Sequence, residues 1–172
     1  MGAMQYTLIT GACGGLGGAF VEVLAERGEP LYLTGRSEER LASLGTSLRE
    51  RHPSLEVKWF ACDLTDEASR AAFFAHTDGE GVVYSRLVYV AGVDTQMAFS
   101  RYDEARLVFQ TRVNLEGAVS VMHAVLARAA LDGSTEILAI GSMSGASPMP
   151  YFALYSATKR LWNSSARGFA WS

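Results

Sequence analysis

Lysine is nearly missing from this sequence: Lys58 and Lys159 are the two present, against thirteen arginines. Arginine serves wherever a generic cation suffices, so a lysine marks a place that wants a compact ammonium on a flexible stem. Cysteine is as scarce. Cys13 and Cys62 stand in no metal-ligand spacing and the three histidines are scattered singly, which points away from a metal centre and toward reduced thiols. No basic cluster offsets the net charge of −3, which argues against nucleic acid or an anionic membrane as a partner. Long apolar runs are also absent: the best candidate, 118–131, is broken by His123 and Arg128. No basic flank precedes the first apolar stretch, so it does not read as a signal peptide, and the expected location is the cytoplasm. What remains is globular, with 49% apolar and 19% charged residues, and 172 residues suit one domain rather than two.

Strand and helix patterns alternate along the chain. Gln5 to Thr10 is a short β-rich run, followed by helical spacing from Leu16 to Arg27 with Phe20, Val21, Leu24 and Ala25 on one face. Gly28 stops that helix. Leu31 to Thr34 reads as a second strand, and Ser37 caps a helix carrying Glu38 and Glu39 in its first turn. Further strands are expected over 55–61, 86–91 and 136–140. Helices are expected from a Thr65 cap to about Ala75, over 102–131, and from Ala153 onward. Short connections between alternating elements predict parallel strands in a doubly wound, Rossmann-type α/β sheet, covered on both faces.

In such sheets ligands bind beyond the carboxyl ends of the strands. The suggestive residues fall there: Gly11 to Gly17, Arg36, Asp63 with Leu64, Ala91-Gly92 and Ser142. The first of these ends reads T-G-A-C-G-G-L-G, with Cys13, Gly14 and Leu16 between the spaced glycines. Gly11, Gly15 and Gly17 leave backbone N–H groups open to a pyrophosphate at the start of the next helix. The last end leads into a third feature. Tyr155 stands thirteen positions after Ser142, and Lys159 four beyond that. On a helix, Tyr155 and Lys159 share one face. An ammonium one turn away favours the phenolate and makes a tyrosine usable for proton transfer. The plainer reading is a surface lysine beside a half-buried tyrosine.

Together these residues give the chain a close resemblance to the short-chain dehydrogenase/reductase family along its whole length. T-G-x-x-x-G-x-G matches Thr10 to Gly17, the adenine-contacting aspartate matches Asp63 in C-D-L, and the helix asparagine matches Asn114 in V-N-L-E-G-A. The catalytic serine matches Ser142, and Y-S-A-T-K matches the active-site signature at Tyr155 to Lys159. The resemblance implies reversible carbonyl–alcohol oxidoreduction on a small molecule with a nicotinamide dinucleotide. Tyr155 would be the general acid/base and Ser142 the partner of the substrate oxygen. Lys159 would also hold the nicotinamide ribose, and Asn114 would bridge to Lys159 through water. A helix cap or kink is the plainer reading of Asn114. Two departures accompany the match. Tyr89-Val90-Ala91-Gly92 stands where relatives often have N-N-A-G. Relatives also continue through two further strands and a substrate-covering segment, so the chain reads as truncated at its C-terminal end.

The second strand ends in Leu33-Thr34-Gly35-Arg36-Ser37, with no carboxylate for ribose hydroxyls and a guanidinium suited to a 2′-phosphate. NADP(H) is therefore favoured over NAD(H), against the reading of Arg36 as a surface residue before a helix. Met143, Met149, Tyr151 and Phe152 flank the Ser–Tyr pair as an apolar wall or as loop anchors. Ala118, Val121, Met122 and Val125, with Leu161, Trp162 and Phe169, suggest more apolar face than one sheet needs, hence a homodimer or homotetramer. Two alternatives stand beside the reductase. One is a non-catalytic dinucleotide-binding or oligomer-forming protein of the same fold. The other is a sugar-nucleotide epimerase, which usually has G-x-x-G-x-x-G and a longer C-terminal domain.

Overall fold

The computed structural model describes residues 4–129, 135–147 and 149–165. Among the described residues five parallel strands form one sheet: β1 (Gln5–Thr10), β2 (Leu31–Gly35), β3 (Val57–Ala61), β4 (Val83–Tyr89) and β5 (Glu136–Ala139). Their order is β3-β2-β1-β4-β5, so the chain reverses its direction of travel across the sheet between β1 and β4. The connecting helices are α1 (Gly15–Glu26), α2 (Glu38–Arg51), α3 (Glu67–Gly79), α4 (Glu104–Thr111), α5 (Gly117–Leu126) and α6 (Ala153–Ser165).

Alternation of side chains along each strand feeds two separate cores. Leu8, Tyr32 and Leu87 point to one face and pack with Phe73, Val121 and Met122 of α3 and α5. Ile9, Leu33 and Val88 point to the other and pack with Val21, Leu24 and Leu41 of α1 and α2. Both faces are apolar, which is why the strands read as nearly continuous hydrophobic runs.

Several boundaries differ from those expected. β4 begins at Val83 because β1 pairs with it from Gln5 onward, which brings Val83 and Tyr84 into the ladder, and the register then shifts past Ser85 so that Thr7 pairs with Arg86. Arg86 is held there by ion pairs to Glu29 and Glu136. β4 ends early because the N–H groups of Val90 and Ala91 turn to donate to Thr10 Oγ1, at 3.1 and 3.2 Å. Leu55 lies before β3, in a turn closed by its N–H donating to the His52 carbonyl. The cap of α3 is Asp66, which accepts the Ser69 N–H at 3.0 Å, whereas Thr65 bonds back to Asp63.

The expected helix over 102–131 is three pieces. Asp103 caps α4, a π-helical turn spans Arg112–Glu116, and α5 follows it. The Trp162 indole N–H donates to the Asn114 carbonyl at 2.9 Å, the kind of side-chain insertion that widens a helix locally. One expectation is corrected here. Ala118, Val121, Met122, Val125 and Trp162 are buried within the chain's own core, so they are not spare apolar surface for a partner. Leu161 is exposed, and Phe169 lies outside the described residues. Among the described residues no helix is long and apolar enough to cross a membrane.

Candidate active site

α2, α3 and α4 each begin with a side-chain cap and an acidic residue in the first turn. α1 has neither: its cap is Gly14, with no side-chain bond and no acid nearby. Its first N–H groups and the positive end of its dipole therefore face outward, as an anion requires. The glycines before it are set by packing. Gly11 has φ +65 and lies against Ala91, where a Cβ would come within 3.2 Å of the Ala91 Cα. A Cβ on Gly17 would fall 2.1 Å from the Gly11 carbonyl oxygen, so only glycine lets the loop fold onto α1. A Cβ on Gly15 meets nothing within 4 Å; that face is open.

The open face is one side of a cleft of about 450 Å³. Gly11, Cys13, Gly14, Gly15, Leu16 and Gly17 line its floor; Arg36, Asp63 and Leu64 line one end, and Ala91 and Gly92 the other. The predicted cofactor residues outside the Tyr–Lys pair thus come together. Asp63 accepts from the Thr65 N–H at 2.9 Å and the Thr65 hydroxyl at 2.8 Å. Burial would raise its carboxyl, but those bonds and the charges of Arg36 and Arg70 outweigh it and hold the group below the usual aspartate value.

Ser142, Asn114, Tyr155 and Lys159 do not line this cleft; Lys159 and Asn114 approach it at Gly92. A Cβ on Gly92 would sit 3.4 Å from Lys159 Nζ and 3.5 Å from Asn114 Oδ1. Lys159 is 5% exposed and donates to the Ile140 carbonyl at 2.7 Å, just beyond β5. Burial pushes its pKa down. Its Nζ is 5.7 Å from the centre of the Tyr155 ring, so the i, i+4 pair does share a face. Ser142 Oγ accepts from the backbone N–H and the hydroxyl of Ser144, at 3.2 and 2.9 Å, which orients it at the start of a 3-10 turn. Asn114 is in the π-helical turn, 1% exposed. Its amide accepts the Val93 N–H and donates to the Val93 carbonyl, both at 2.8 Å, and also donates to Thr158 Oγ1 at 3.2 Å. The asparagine side chain therefore pins the loop after β4 against α6.

Arg40, Phe109 and Val113 are site residues that the sequence pattern did not single out, and the contacts of Thr10, the first residue of the motif, were not legible there either. Thr10 ties the glycine loop to the loop after β4 through the two bonds above. Arg40 also lines the cleft and donates to the Cys13 carbonyl at 2.6 Å, holding the crest of the glycine loop. Its position in the first turn of α2, four residues past Arg36, was the available signal. Phe109 and Val113 reach the cleft from α4 and the π-helical turn, far away in sequence.

The short chain dehydrogenase family model matches residues 5–170. An uncharacterised oxidoreductase of Staphylococcus saprophyticus is 29% identical over 164 residues, covering 95% of this chain and 70% of the relative. A short-chain dehydrogenase of Sphingobium yanoikuyae, solved in complex with NADPH, superposes with a TM-score of 0.86 at 28% identity. That match covers 95% of this chain and 64% of the other. A bulky-bulky ketone specific alcohol dehydrogenase of Comamonas testosteroni gives 0.87 at 27% identity, with 97% and 66% covered. Several further curated relatives are matched over 47–65% of their own length. With a family match running from β1 beyond α6, over a five-stranded sheet whose glycine loop, Asp63 and Tyr155–Lys159 pair converge at the strand ends, this chain belongs to the short-chain dehydrogenase/reductase family.

Proposed function

We propose that the chain carries the cofactor site and proton-transfer residues of a reductase acting on small-molecule carbonyl compounds, of whatever bulk, and their alcohols with NADP(H). The dinucleotide, when bound, supplies or accepts the hydride. The fit rests on the uncapped start of α1, the open face at Gly15, and a cleft that runs from Arg36 to Gly92. Gly11, Gly15 and Gly17 let the backbone approach the pyrophosphate, and Leu16 and Cys13 complete the loop. Asp63 and Leu64 border the adenine end. Arg36 meets the 2′-phosphate, and the solved Sphingobium relative holds NADPH.

At the other end the chain's own groups handle a proton. Tyr155 donates from its hydroxyl to the carbonyl oxygen during reduction and takes the proton back during oxidation. Ser142 donates a hydrogen bond to the same oxygen as charge gathers there. Lys159, an ammonium beside the ring, offsets the charge left on Tyr155 and reaches toward the ribose past Gly92. Asn114 keeps the Val93 loop and Thr158 in register beneath it. The observation that carries this reading is the buried Lys159 ammonium against both Tyr155 and Gly92, where the cleft ends. An ordinary surface lysine would not be placed there, because burying a charge is unfavourable without a use for it.

The test is Tyr155→Phe, assayed by NADPH oxidation over a panel of aldehydes and ketones and by NADPH fluorescence titration. Reduction is expected to fall by at least a hundredfold with cofactor affinity unchanged. Equal rates for the variant and the parent would return the chain to the non-catalytic, dinucleotide-binding reading.

A further inference from the structure

One described residue other than glycine has a left-handed backbone: Tyr151, at φ +66. The reason for that conformation is a turn over Met149–Phe152, closed by the Phe152 N–H donating to the Met149 carbonyl at 3.3 Å. Pro150 suits the second position of such a turn, and the third position, with positive φ, belongs to glycine or asparagine. A tyrosine there strains the backbone, and the residue is 60% exposed, so no deep burial within the described residues offsets the strain. Strain of this kind persists where the side chain has a use.

Its surroundings indicate the use. The Tyr151 carbonyl accepts the Met97 N–H at 3.1 Å, which brings the loop carrying Phe99 alongside. Phe99 is 59% exposed and Met149 46% exposed. The adjoining Phe152 ring lies 5.9 Å from the Tyr155 ring, and Met143 follows Ser142 directly. Large apolar side chains left in water at one place mark a binding surface, and this surface is continuous with the residues assigned to proton transfer.

We propose that Tyr151 is a specificity-determining residue, retained against its own backbone preference to grip bulky apolar carbonyl substrates such as aryl or alicyclic ketones. The proposal rests on the reading of Tyr155 as the catalytic centre. Methionine and aromatic side chains together suit an apolar ligand of variable shape.

The experiment compares the parent, Tyr151→Gly and Tyr151→Phe in NADPH-saturated protein. It measures Tm, turnover of a bulky aryl ketone against acetone, and binding of the aryl ketone by equilibrium dialysis. Tyr151→Gly is expected to raise Tm by about 1–4 °C, since glycine accepts the turn. The same change is expected to weaken aryl ketone binding, and its kcat/KM relative to acetone, about tenfold. Tyr151→Phe keeps the ring and is expected to match the parent in selectivity and binding. Unchanged aryl ketone binding in Tyr151→Gly overturns the proposal. So does a lower Tm with unchanged selectivity, which would show the ring packing against protein rather than substrate. The binding arm does not depend on turnover, so a failure of the Tyr155 assignment appears separately, as a panel without reduction in the parent.

Discussion

Three neighbouring glycines at the head of α1 offer a test in which one added methyl has three different outcomes. At Gly17 the methyl would lie 2.1 Å from the Gly11 oxygen, 2.8 Å from its carbonyl carbon and 3.1 Å from the Ala12 Cα. All three are backbone atoms and none can rotate away. Overpacking of this kind costs about 3 kcal/mol, and the better helix propensity of alanine returns about 1 kcal/mol. The net loss for Gly17→Ala is about 2 kcal/mol, a fall in Tm of roughly 4–8 °C for a chain of this size. At Gly18, one residue on, the nearest atom is 3.9 Å away, so propensity acts alone and Tm is expected to rise by about 2 °C. At Gly15 nothing lies within 4 Å, so Gly15→Ala should fold as well as the parent. Its methyl would stand on the face offered to the pyrophosphate, and NADPH affinity is expected to fall about tenfold or more. Thermal denaturation and NADPH fluorescence titration on the three variants complete the measurement. A Gly17→Ala protein as stable as the parent would refute the argument that the loop is locked on α1. Undiminished NADPH binding by Gly15→Ala would place the phosphates elsewhere.

Three further outcomes are expected. Arg36→Ala should weaken NADPH binding about tenfold or more while leaving NADH unaffected; equal losses for both cofactors would show that Arg36 does not read the 2′-phosphate. Trp162→Phe removes the donor to the Asn114 carbonyl in a site 5% exposed, and a destabilisation of about 1–3 kcal/mol should appear in urea unfolding. No change would mean that the π-helical turn holds itself. Burial lowers the Lys159 pKa, so its ammonium is lost at lower pH than an ordinary lysine's. The alkaline limb of kcat/KM should therefore fall below about pH 10.4. Between the lowered folded value and about 10.4 the unfolded chain binds the extra proton. The parent should therefore gain stability relative to Lys159→Met as pH rises through that window. A pH-independent difference between the two would contradict the burial argument.

Much of this protein is local in sequence. The parallel sheet was legible because each strand is apolar on both sides and each helix is amphipathic over about three turns, patterns that need no knowledge of neighbours. The glycine loop was legible for the same reason: closely spaced glycines between a strand and a helix already describe a place for an anion. The Tyr155–Lys159 pair is one helical turn and carries its own geometry. Other features depended on distant segments. The break in the long helix at Arg112–Glu116 involves the Trp162 indole on α6, which no local pattern around Asn114 contains. The apolar residues of α5 read as spare surface until the sheet and α6 covered them, because periodicity reports that a face is buried and not against what. Arg40 became part of the site only when α2 folded back over the Cys13 carbonyl. The strain at Tyr151 likewise belongs to a turn whose Tyr151 carbonyl is tied to Met97, in the distant loop after β4. Short-range chemistry determined the elements and the motif residues; long-range contacts decided which side chains are used up in the core and which are left for a ligand.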